Sequence, residues 1–128
     1  MSVALIAILA AGVLPGYVKT VERSYWQDAQ TLLLTIYAGE QVYFSANDVY
    51  LNPAAPPAPA VPPAWNLIFM DDPNFPGIPV TYTVAVGGGG TTFTATVTRN
   101  GGPCDGQTQT INQLRVLTSS GTWNTGAC

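Results

Sequence analysis

Hydrophobic positions change their spacing twice along this chain. Met1 to Val18 contains no charged side chain, and the first charges, Lys19, Glu22 and Arg23, follow closely. Coiled as a helix, such a stretch is about 27 Å long, just short of a bilayer's hydrocarbon core, so it reads as membrane-inserting. A secretory signal has the reverse order, with a basic region ahead of the apolar one. Gly12, Pro15 and Gly16 interrupt the run. Proline has no N–H to give the carbonyl four residues back, so loosening or a kink is expected there. From Val21 the apolar residues recur with helical period: Tyr25, Trp26, Ala29, Leu32, Leu33, Ile36, Tyr37, Tyr43, Phe44 and Tyr50 share one arc. Arg23, Gln27, Gln30, Thr31, Gln41, Ser45 and Asp48 take the other side, with Leu34 and Val42 as exceptions. The pattern predicts one helix to about Tyr50, roughly 75 Å if straight. Its N-terminal half outruns any head this chain can build and needs lipid or another subunit.

Six prolines between Pro53 and Pro63 end the helix and predict an extended, stiff strap. Beyond it the period becomes two. Trp65 to Met70 is a short apolar run. Val80–Val86 and Thr91–Arg99 flank four glycines and predict an antiparallel hairpin. One further strand is expected within Thr108–Thr118, with a turn at Ser119–Gly121 toward Trp123. The fold class is α+β: a helix over 1–50 (1–18 apolar, 19–50 amphipathic), a strap over 51–64 and an antiparallel head over 65–128, packed on the helix's C-terminal half.

Composition narrows the function. Only 9% of residues are charged, far below the usual quarter, which favours self-association. A net charge of −3 and four scattered basic residues, Lys19, Arg23, Arg99 and Arg115, offer nothing to a nucleic acid. Histidine is absent, which removes the commonest proton-transfer group and metal ligand. The two cysteines, Cys104 and Cys128, are expected to bond to each other in an oxidising compartment, with a bridge between neighbouring subunits as the rival. No cofactor, metal or catalytic residue is assigned. Asp71–Asp72, alone or with Asp105, falls short of the six to eight oxygens calcium takes and reads as a solvated turn. Ser and Thr are plentiful, yet no motif positions a base beside them. Glu40 sits inside the apolar arc; an unpaired carboxylate there is costly, so a partner is expected in Arg99, Arg115 or loop amides. The aromatics strung along the helix read as core packing rather than as a charge-conducting stack.

The run Val3-Ala-Leu-Ile-Ala-Ile-Leu-Ala-Ala-Gly-Val-Leu-Pro15-Gly-Tyr17 resembles the N-terminal helix of type IV pilins and of type II secretion pseudopilins. Leu33-Leu-Thr-Ile-Tyr-Ala-Gly-Glu40-Gln-Val-Tyr43-Phe44-Ser-Ala-Asn47-Asp-Val-Tyr50 is similar to an alanine-glutamate-x-x-tyrosine-phenylalanine run late in many such helices. More loosely, Thr96–Cys104, Gln107–Ile111 and Gly121–Trp123 resemble the end of small pilin heads. Members of that family begin, after leader removal, with a phenylalanine and soon after a glutamate. This sequence aligns from inside their helix, so leader cleavage, N-methylation and glutamate-dependent docking attach to no residue numbered here. The resemblance implies a structural subunit, without turnover, of an extracellular filament. Val3, Leu5, Ile6, Ile8, Leu9, Val13, Leu14 and Tyr17 would bundle in the filament core while the heads tile its outside. It also implies partners: further copies of the chain, the inner membrane before assembly, and a pilus or secretion machinery. A pseudopilin or minor pilin, and a membrane-anchored binding module, are the alternatives.

Overall fold

A computed structural model describes the backbone from Ser2 to Cys128 and the side chains from Tyr17 onward. One helix, α1, runs Ser2–Asn47. Its last turn closes with the Asp48 N–H donating to Phe44 O at 2.8 Å, and Asp48 then takes φ 60. A short polar side chain tolerates that left-handed geometry, which stops the helix. The end therefore comes before the expected Tyr50. Tyr50 instead turns back into the head, where its N–H donates to Gly90 O at 2.8 Å.

Four strands follow: β1 (Val80–Gly87), β2 (Thr92–Arg99), β3 (Thr108–Asn112) and β4 (Leu117–Ser119). They form one antiparallel sheet in sequence order. The glycine-rich hairpin is where the sequence puts it, with Gly88, Gly89 and Gly90 all at positive φ. The single strand expected over Thr108–Thr118 is two, β3 and β4. They are joined by a turn in which Asn112 Oδ1 accepts the Leu114 and Val116 N–H groups and Arg115 adopts φ 62. Trp65–Ile68 is a 3-10 turn rather than part of the period-two pattern.

The strap differs more. Asn52 Oδ1 accepts the Ala54 N–H, Ala55 and Ala60 close further turns, and the Ala64 N–H reaches back to Pro53 O at 2.8 Å. Proline removes donors, but the intervening alanines keep theirs. The segment folds into a chain of turns whose ends meet, not an extended rod.

The core lies between one stripe of α1 and the inner face of the sheet. Ala29, Leu33, Ile36 and Tyr43 come from the helix; Tyr82, Val84, Phe93, Ala95, Val97 and Ile111 come from alternate strand positions. Phe93 sits among Tyr37 and Tyr50, with ring centroids 6.4 and 4.7 Å away. Tyr37 and Phe44 of α1 thus join Tyr50 and Phe93 in one aromatic cluster, while Tyr17 remains exposed.

Cys104 and Cys128 are bonded to each other, with Cα atoms 5.2 Å apart. The alternative of a bridge between subunits falls away. In the chain-entropy picture a loop of this size adds about 3 kcal/mol. The bridge also holds the last turn against α1, where Trp123 is fully buried and Gly126 lies against the Lys19 backbone.

Gly39 shows how closely helix and head approach. A Cβ there would run into the backbone carbonyl of Ile68. Ala normally improves a helix interior by about 1 kcal/mol over Gly. Here Gly39→Ala is expected to destabilise instead, by about 1–3 kcal/mol, because the 3-10 turn must move. Chemical denaturation of the two proteins measures this.

Candidate functional site

Two carboxylates on the buried stripe of α1, Glu22 and Glu40, are satisfied in different ways. Glu22 and Arg99, at the end of β2, form a bidentate pair in which Arg99 Nη2 and Nε donate at 2.7 and 2.9 Å. Arg99 Nη1 also donates to Pro79 O at 3.0 Å and Asn100 O at 2.6 Å, and the guanidinium lies 4.7 Å from the Tyr25 ring centroid. Its hydrogen bonds to Glu22 hold Arg99 even more firmly protonated than usual. Glu40 is fully buried with no cation: both its oxygens share the Leu51 N–H, at 3.0 and 3.2 Å. Burial pushes its carboxyl up to about 7, and the amide bond only partly offsets this. Of the partners open to Glu40, a loop amide is the one it takes; Arg99 is engaged elsewhere and Arg115 is exposed in the β3–β4 turn.

Beside that stripe, between α1 and the loop leading into β1, lies an open groove of about 520 Å³. Tyr25, Leu32, Met70, Phe75, Ile78 and Pro79 make it apolar, and Asp28, Asp71 and Asp72 stand on it. All three aspartates are exposed, as is most of Phe75. Asp72 Oδ1 accepts the Asn74 N–H at 2.8 Å, and Asn74 in turn bonds the Tyr82 backbone in both directions, so the loop is pinned to β1. Burial, with the nearby Asp28 charge, pushes the Tyr82 phenol up to about 12. A smaller groove of about 300 Å³ adjoins the first at Thr35, and a larger one of about 790 Å³ adjoins that in turn at Val42 and Phe69, along the same flank of the helix. An apolar furrow with an acidic end suits docking of a surface that carries apolar stems and positive charge.

Compared with known proteins, the chain matches no family model, no curated protein and no solved structure. Its own geometry therefore carries the functional argument.

The side chains of the expected filament-core residues Val3, Leu5, Ile6, Ile8, Leu9, Val13 and Leu14 lie outside the described ones; Tyr17, the last of that set, is 61% exposed. Gly12, Pro15 and Gly16 lie within the Ser2–Asn47 span of α1, so the single chain carries no break there. Among the described residues no helix is long and apolar enough to cross a membrane. Asp71 and Asp72 form the exposed turn expected of them, while Asp105 is engaged separately with the Gly101 N–H. Among the described residues no three potential ligands gather for a metal.

The Glu22–Arg99 pair and the groove were missed. A signal for the first existed: Glu22 and Glu40 are eighteen residues, about five turns, apart and so share a face. The groove had none, because its walls come from separate segments.

A carboxyl raised on folding prefers to be folded in its protonated form. Glu40 thus contributes stability that is full below about pH 4.5, its ordinary value, and is lost as the pH rises through about 7. Glu40→Gln keeps an acceptor for Leu51 and removes the titration. The variant is expected to lose less stability than the parent between pH 4.5 and 7.5, by on the order of 1–3 kcal/mol, in paired thermal melts.

Proposed function

We propose that the chain is a structural subunit that polymerises through α1 into an extracellular filament resembling type IV pili. The observation that carries this reading is a mismatch of lengths. At 1.5 Å per residue the 46-residue α1 is about 69 Å long. A compact head of some eighty residues has a radius of gyration near 12 Å and is about 30 Å across. Among the described residues, contacts of the head with α1 start at Lys19 and Glu22 and extend toward its C-terminus. The head is thus too small to cover the segment before Lys19, which has no charged residue. In water such a surface is costly at about 25 cal/mol per Å², and bundling with the same segment of other copies removes that cost.

The disulfide supports the location, since such bonds persist in oxidising compartments. As part of this proposal, the charge-free segment inserts in the inner membrane before assembly and is extracted by a pilus or secretion-type machinery. The function is assembly without turnover. A pseudopilin of a short secretion fibre uses the same contacts in fewer copies.

Leu9→Asp tests the reading in the native cell. A carboxylate in a dry helical bundle is either neutralised or left unpaired, at several kcal/mol per copy. Fibre yield is expected to fall below detection while the head stays folded and disulfide-bonded. Normal fibre yield rules the N-terminal helix out as the polymer core; parent protein found only as a membrane-bound monomer favours a simple anchor.

A further inference from the structure

We propose that the groove rimmed by Asp28, Asp71 and Asp72 seats the Lys19–Arg23 surface of a second copy of this chain, in a head-to-tail contact that repeats along the assembly. The proposal rests on the filament reading and specifies its lateral contact.

Charge complementarity selects the occupant. Exposed side-chain carboxylates are few, Asp28, Asp48, Asp71, Asp72 and Asp105, and three of the five stand at one apolar groove. Lys19 and Arg23 are exposed, one turn apart on α1, and the Glu22–Arg99 pair is the only ion pair among the described residues. Both have long aliphatic stems, so each lays methylenes on the groove floor while its charged end meets the rim.

Direction follows from the helix. At 100° per residue, Lys19 and Arg23 point roughly 160–200° away from the stripe of Tyr25, Asp28, Leu32 and Thr35 that lines the groove. A copy cannot fold its own cations into its own groove. The two surfaces are different patches on opposite flanks, so the contact is heterologous and leaves a free groove at one end and a free cation pair at the other. Lys19 and Arg23 precede Asp28 by nine and five residues, which staggers parallel copies by about 7–14 Å along α1.

Lys19 is the only lysine in the sequence, which makes the contact chemically addressable. Intact fibres purified from cells are treated with a zero-length carbodiimide, which joins a carboxylate to an ammonium only at contact distance, and the products are mapped by mass spectrometry. The expected product links Lys19 to Asp28, Asp71 or Asp72 between copies. In parallel, Lys19→Glu is expected to lower fibre yield roughly tenfold or more, because like charges then face each other, and adding Asp72→Lys to it is expected to recover most of the loss. Fibres whose Lys19 links only to Asp48 or Asp105, links to another polypeptide, or does not link at all overturn the groove contact and leave the filament reading standing. An unchanged yield for Lys19→Glu also overturns it. Absence of fibres from the parent protein overturns both.

Discussion

The buried pair between Glu22 and Arg99 joins residues 77 positions apart and fixes where the sheet sits on the helix. Arg99 closes β2, its register partner Val80 opens β1, and its guanidinium also bonds Pro79 O, so one side chain ties α1 to the base of the first hairpin. Such a pair adds little net stability over an apolar replacement, since both charges lose their water; removing one partner alone costs about 3–5 kcal/mol. Its consequence here is positional. With the base of β1 held, the loop before it runs alongside α1, and the groove floor is formed from that loop and the helix flank. Toward the other end of the head, Glu40 and the Leu51 amide hold the chain as it leaves the helix.

Between these two anchors a stripe of small and large apolar residues on α1 meets alternate residues of a threonine-rich sheet, the buried Gln109 among them. What is unusual is the proportion of helix to head. Among the described residues, the four short strands and the disulfide-tethered C-terminus meet α1 from Lys19 onward. In the proposed filament, the charge-free sequence before Lys19 packs against the same segment of neighbouring copies. Three of the five exposed aspartates stand at one furrow, and in the proposed assembly they would orient those neighbours.

Much of the fold was legible because it rests on period. The helix, the β1–β2 hairpin across four glycines and the cysteine pair follow from local spacing and chemistry. What the sequence misread or left open has a common cause. Trp65–Ile68 is apolar yet too short for periodicity to distinguish strand from turn. The β3–β4 turn depends on Asn112 capping two amides, a contact that composition does not reveal. Gln109 is fully buried because register with Ile111 turns it inward, although its polarity suggests an outward position. Glu40 was recognisable as a misplaced charge, but its partner, a main-chain amide, carries no sequence signature. The groove belongs to the same class: Asp28 looks like a solvated helix residue until Asp71 and Asp72 arrive beside it.

The central claim is that the helix before Lys19 is buried among copies of itself. Electron cryomicroscopy of fibres purified from the cell surface tests it most directly. The account predicts that residues 2–18 of neighbouring copies pack around the fibre axis at interhelical distances of about 8–10 Å, with the sheets facing outward. A reconstruction in which those segments face solvent, or in which the heads occupy the axis, contradicts it.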